Sequence, residues 1–160
     1  MADCNCIRGE SEYNFKIEWN DKDSFLYQDL SNWNTDYGYS VPDEYDIIIT
    51  PPNSKKDYKI AVNTKCWTKI GKEELGSDFK DGIYCIKLYN CDNIYTKYFA
   101  ITNKLDCCYE KMLLNDEDDF AKMRELIDKI KVAAKFGDFK LAKDLVKNAN
   151  SVALNNNCNC

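Results

Sequence analysis

The hydrophobic period of this chain changes once, near Leu105, and that change constrains the fold more than any other feature. Before it, apolar residues recur in short runs and at period two; after it, they recur at steps of three and four. The switch falls inside Asp81–Met112, DGIYCIKLYNCDNIYTKYFAITNKLDCCYEKM. Within that stretch Ile83–Tyr89 and Ile94–Thr102 are rich in β-branched and aromatic residues, and Asn90–Asn93 between them is short enough for a hairpin turn. The sequence therefore predicts β structure up to this hairpin and α structure after it.

The upstream half supplies further strands. Tyr13, Phe15, Ile17 and Trp19 alternate with Asn14, Lys16 and Glu18, the mark of a strand with one buried face. Residues 20–23 read as a turn, and residues 24–41 as a long polar and aromatic loop with one turn of helix. Asp46–Thr50 is an apolar run closed by Pro51-Pro52, which cannot continue a central ladder. Tyr58–Asn63 and Cys66–Ile70 are two more strand candidates, and Lys72–Lys80 is charged enough to hold a short helical turn. So many short strands between turn signals favour an antiparallel, immunoglobulin-like β-sandwich. The antibody-type core is not expected. Tyr84 and Cys85 are adjacent and must face opposite sides of a strand, so a Cys66–Cys85 cross-link does not fit.

Downstream, Asp116-Glu117-Asp118-Asp119 precedes Phe120, Met123, Ile127, Ile130 and Ala134, with Leu126 and Ala133 widening the stripe. Acidic residues belong at a helix N-terminus, and Lys129, Lys131 and Lys135 suit its C-terminal half. Gly137 is a natural stop and Asp138 a natural cap for a second helix, with Leu141, Ala142, Leu145, Ala149 and Val152 on one side. The fold class is then α+β: an arm at 1–10, a β-sandwich over 11–103, a helical hairpin over 104–154 and a Cys/Asn tail at 155–160.

Composition bounds the function. A 160-residue chain buries roughly 70% of its unfolded surface and needs no staple. The net charge of −5 speaks against direct nucleic-acid binding, and no apolar run is long enough to cross a bilayer. Histidine is absent, which removes the usual general base and the Ser-His-Asp and Cys-His arrangements. There is no phosphate loop, nucleophile elbow or carboxylate pair of recognisable spacing, so the chain does not read as an enzyme, and no cofactor is expected. The start of the sequence does not resemble a signal peptide, so most of the nine cysteines are expected to be reduced in a cytoplasm.

Four groups of residues are candidate sites. Cys4, Cys6, Cys158 and Cys160 supply four thiols for tetrahedral zinc, but pairs separated by one residue are tighter than zinc motifs use. Cys107-Cys108 reads as one buried and one half-exposed thiol, with Cys85 and Cys91 as packing residues. Trp33, Tyr37, Tyr39 and Tyr45 can stack on sugars or anchor a protein interface. Lys140 and Lys143 lie in the basic segment 121–147 (eight basic and four acidic residues, net +4), which complements the acidic segment 106–119 (net −5).

A sandwich ending in DGIYCIKLYNCDNIYTKYFAITNKLDCC, followed by a helical hairpin and an Asn/Cys-rich tail, resembles the small ring (neck or collar) proteins of crAss-like phages. The likeness is strongest over about residues 81–160 and architectural over 10–80. It implies a structural virion protein, made in a bacterial host cytoplasm and built into the tail or neck. The implied partners are further copies in a homo-oligomeric ring matching the portal's twelvefold symmetry, the portal itself and other neck or tail proteins. It implies no catalytic residues, no direct nucleic-acid contact and no membrane. Two other readings stay open: an immunoglobulin-like module binding carbohydrate or protein through Trp33 and Tyr37, and a Cys-ligated zinc regulator.

Overall fold

The structure, a computed structural model, describes residues 13–30, 44–63, 66–90, 93–112, 117–156 and 158. Its architecture is α+β. Seven strands come first: β1 (Phe15–Asp21), β2 (Ser24–Asp29), β3 (Glu44–Thr50), β4 (Tyr58–Asn63), β5 (Thr68–Gly71), β6 (Gly82–Asn90) and β7 (Asn93–Ile101). A short helix α1 (Lys72–Leu75) and a 3-10 turn separate β5 from β6, and α2 (Asn103–Met112), α3 (Glu117–Lys135) and α4 (Phe139–Asn155) follow β7. The strands form two antiparallel sheets, one ordered β1-β2-β5 and the other β4-β3-β6-β7.

The loop expected over 24–41 is corrected in its first part: Ser24–Asp29 is the central strand of the three-stranded sheet. Phe25 pairs with Trp19 on one side and Ile70 on the other, and Tyr27 pairs with Ile17 and Thr68. Phe25 and Tyr27 are buried while Leu26 is only half-buried, so the period-two signal existed but was too short to stand out from its polar surroundings. The remainder of that expected loop, 31–43, lies outside the described residues.

The chain divides into two compact units. The first holds residues 1–50, 54–79 and 86–96. Its core is built from alternating strand residues: Phe25 and Tyr27 of β2, Ile47 and Ile49 of β3, Ile60 and Val62 of β4, and Ile86 and Leu88 of β6. Leu75 of α1 is also buried, so the charged segment KEEL places its one apolar residue inward. Gly71 sits where an added Cβ would lie 2.1 Å from the Asp23 carbonyl oxygen, so only glycine lets β5 close on the β1–β2 turn.

The second unit holds residues 51–53, 80–85 and 97–160. Here α3 buries Met123, Leu126, Ile127, Ile130, Ala133 and Ala134, the stripe that the three- and four-residue spacing predicts. Against it pack Ala142, Ala149 and Val152 of α4 and Leu105, Cys108 and Met112 of α2. Gly137 adopts φ +76° at the end of α3, and the Asp138 carboxylate accepts the Leu141 backbone N–H at 3.2 Å, the cap and stop expected there. The expectation that Leu141 joins the buried face is corrected: it is exposed, whereas Leu145 and Val146 pack on the core. No helix is long and apolar enough to cross a membrane among the described residues.

Candidate functional site

In the first unit the chemistry that stands out is a chain of phenols. Tyr13 and Tyr27 share a hydrogen bond between their hydroxyls, the Tyr27 and Tyr45 hydroxyls are 3.2 Å apart, and the Tyr45 hydroxyl donates to the Asp29 carboxylate. Strand alternation aims these groups inward: Tyr27 and Asp29 lie two apart on β2, and Tyr45 lies on β3 two before the buried Ile47. Burial raises Tyr13 well above the ordinary phenol value, with the neighbouring Tyr27 reinforcing the effect. Burial likewise raises Tyr27 and Tyr45. All three therefore stay neutral at physiological pH, and the chain ends on a single acceptor. Such an array satisfies buried hydroxyls and fixes rotamers. It also occupies the Tyr45 hydroxyl, which the sequence had grouped with Trp33 and Tyr37 as a stacking platform; those two residues lie outside the described part of the chain.

The same unit carries a polar cleft of about 330 Å³ lined by Asp21, Asp23, Lys69, Lys72, Glu73 and Glu74, among others. Four carboxylates there stand against two lysines. Asp21 accepts the Asp23 backbone N–H at 2.8 Å and the Ser24 hydroxyl at 2.9 Å, which hold its carboxyl below the ordinary value, and Lys69 pairs with Glu73 at 4.0 Å. Among the described residues no group of three or more His, Cys, Asp or Glu is placed to hold a metal ion.

In the second unit the cysteines depart from expectation. Cys108 and Cys158 form a disulfide with Cα atoms 5.5 Å apart, and Cys107 is disulfide-bonded as well. The expectation that these thiols are reduced is thereby corrected. A cysteine in a disulfide offers no thiolate, so Cys158 cannot serve the four-thiol zinc set in this state, and Cys4, Cys6 and Cys160 lie outside the described residues. Nothing in the sequence pointed to this bond. Its partners are 50 residues apart, and only the folding of α2 against α4 brings them together. Cys66 is an exposed free thiol, so there is no cross-link from it to β6.

The interface candidates read from the sequence, Lys140 and Lys143, fall on the second unit. Lys140 and Lys143 are exposed on α4, with the Lys143 ammonium 4.5 Å from the centre of the Phe139 ring. Val132 of α3 and Phe136, just past its last residue, are one turn apart, on the side away from the buried stripe, and are 53% and 78% exposed. Lys129 and Lys135 flank them, and Leu141 is exposed in the first turn of α4. Over residues 129–143 the sequence carries five lysines and one aspartate, with the Lys129 ammonium paired to Glu125 at 2.6 Å. The lysine positions were legible from composition; the exposure of Val132, Phe136 and Leu141 was not, because each is apolar and near a buried neighbour.

No protein-family model, curated protein or solved structure matches this chain.

Proposed function

We propose that this chain is a non-enzymatic structural subunit of a ring in the portal–tail (neck) region of a short-tailed phage virion, assembled through unlike surfaces of neighbouring copies. The observation that carries the reading is the exposed set Val132, Phe136 and Leu141 framed by lysines, in a chain whose net charge is −5. An apolar patch rimmed by charge marks a protein contact, and closed rings require one patch to meet a different one. The acidic segment 106–119 supplies the opposite charge for register. The finer architecture we propose is an immunoglobulin-like sandwich followed by a helical hairpin. It is supported by Tyr84, whose hydroxyl donates to the Lys80 carbonyl at 2.5 Å and accepts the Lys80 N–H at 3.0 Å, in the manner of a tyrosine corner. The partners are further copies, the portal and adjoining neck proteins. The chain is made in a bacterial cytoplasm and ends in the virion, where disulfides persist once the particle has left the cell.

Native mass spectrometry of the purified protein tests this reading. A discrete many-subunit species is the expected result; a monomer at every concentration would overturn self-assembly. A second reading, an immunoglobulin-like binding module, is favoured by Trp19, 64% exposed, and by Trp67, whose ring lies 6.0 Å from the Lys16 ammonium. Glycan-array binding by a monomer would replace the ring with that module.

A further inference from the structure

We propose that the Cys108–Cys158 disulfide is a redox latch that holds the end of α4 down, and that it opens by thiol attack on the Cys158 sulfur. This inference is independent of the ring reading.

The two sulfurs are not equivalent. Cys108 is 1% exposed and sits in the helical core, its sulfur 3.6 Å from that of Met112. Cys158 is half-buried and follows the last residue of α4 by three positions. An incoming thiolate needs a line of approach along the S–S axis, and only the Cys158 side offers one. Attack there forms a bond to the Cys158 sulfur and expels Cys108 as thiolate, which takes up a proton because its apolar surroundings disfavour the charge. A second thiol then attacks the mixed disulfide and releases the Cys158 thiol with a small-molecule disulfide. Two external thiols are oxidised and one protein disulfide is reduced. Closure is the reverse, with a low-molecular-weight disulfide taking the two electrons. A leaving thiolate that forms in apolar surroundings makes opening slow, so the latch persists through short reducing episodes.

What the latch holds is visible around it. The Cys158 N–H donates to the Ala153 carbonyl at 3.3 Å, and the Asn156 side-chain amide donates to the Val152 carbonyl and to the Asp119 carboxylate, each at 2.9 Å. The α4 terminus is thus tied to the first turn of α3 by one side-chain bond and to α2 by the disulfide. With that disulfide open, the segment past the buried Val152 keeps the part-buried Asn156–Asp119 hydrogen bond, while the separate disulfide at Cys107 of α2 is untouched; this segment also carries Leu154, already 78% exposed.

The experiment uses the full-length oxidised protein and reduced glutathione as the probe. Native protein is exposed to limiting glutathione, quenched in acid and mapped by peptide mass. The expected result is a glutathione adduct on Cys158, with Cys108 alkylated only after denaturation. An adduct on Cys108, or alkylation of both residues in protein never reduced, would overturn the latch. Hydrogen exchange supplies the second arm. Cys158→Ser, which leaves the disulfide at Cys107 in place, is expected to speed amide exchange over 153–156 at least tenfold while the centre of α3 stays protected. Unchanged exchange in Cys158→Ser would show that the bond holds nothing, and would equally sink the idea. Because Cys158 is half-buried and beyond the helix, this variant folds where Cys108→Ser, inside the core, need not.

Discussion

The Asp81 carboxylate accepts the backbone N–H groups of both Lys104, at 2.8 Å, and Leu105, at 3.2 Å. One side chain ahead of β6 thereby satisfies two of the orphan donors that every helix start leaves, across more than twenty residues of sequence. The cost is burial. Desolvation outweighs the two N–H bonds and the nearby Lys104, and raises Asp81 from 3.8 to about 6.

The sign of the resulting pH dependence follows from that shift. Between the unfolded value of 3.8 and the folded value of about 6, the native state holds more proton than the unfolded chain. Stability is therefore fully present below the lower value and declines as pH rises through the upper one, by on the order of 3 kcal/mol for a shift of this size. Asp81→Asn keeps an oxygen acceptor for both N–H groups without the titration. Denaturant midpoints compared across this interval are expected to show the decline in the parent and a flatter profile in the variant; parallel profiles would contradict it.

The phenol chain gives a second expectation at the other end of the pH scale. Tyr13, Tyr27 and Tyr45 are all raised above 10.0, chiefly by burial, so folding disfavours their ionisation and stability falls as pH rises past the unfolded phenol value. Spectrophotometric titration of the native protein should show these phenols ionising only together with alkaline unfolding. Tyr27→Phe leaves the Tyr13 and Tyr45 hydroxyls each short of a partner and is expected to cost about 1–3 kcal/mol in chemical denaturation. An unchanged midpoint would mean that the array is not satisfying those groups.

Gly82 adopts φ +141°, and an added Cβ would lie 2.7 Å from Cγ of Pro52. The proline that ends β3 is thus packed where only a hydrogen fits. Gly82→Ala combines backbone strain with that clash and should destabilise by at least about 1–3 kcal/mol, read as a lower Tm. Gly76→Ala, at φ +59° with open space around its Cβ, is the control and should cost less.

Reversing charge at Lys140 and Lys143 separates assembly from folding. Both side chains are exposed, and neither makes a salt bridge among the described residues. The double Lys→Glu variant is expected to keep its Tm within a few degrees while losing most of the oligomer in native mass spectrometry. Unchanged assembly at unchanged stability would remove these lysines from the contact.

Several elements were legible because one local rule determines them. Met123 to Ala134 recur at helical spacing, Asp138 stands where a cap is needed, and Tyr58–Asn63 alternates as a half-buried strand must. Each needs only its neighbours in sequence. Ser24–Asp29 was missed because two inward residues on a short strand give too little periodicity to outweigh polar flanks; its identity comes from pairing with β1 and β5. Helical spacing alone allows Leu141 inward, whereas the seam between α3 and α4 favours Leu145 and Val146.

The sequence by itself determined the change from mainly β to α, the stop and cap at Gly137 and Asp138, and the absence of histidine chemistry, all properties of local pattern or composition; that 104–154 holds three helices rather than two it did not determine. Tertiary structure alone decided that Cys108 meets Cys158, that Asp81 would cap a distant helix, and that three tyrosines would link in series to Asp29. Those relationships join residues from 14 to 50 positions apart. No local propensity encodes them, because chain entropy opposes each contact until the packing of whole elements has brought its partners together.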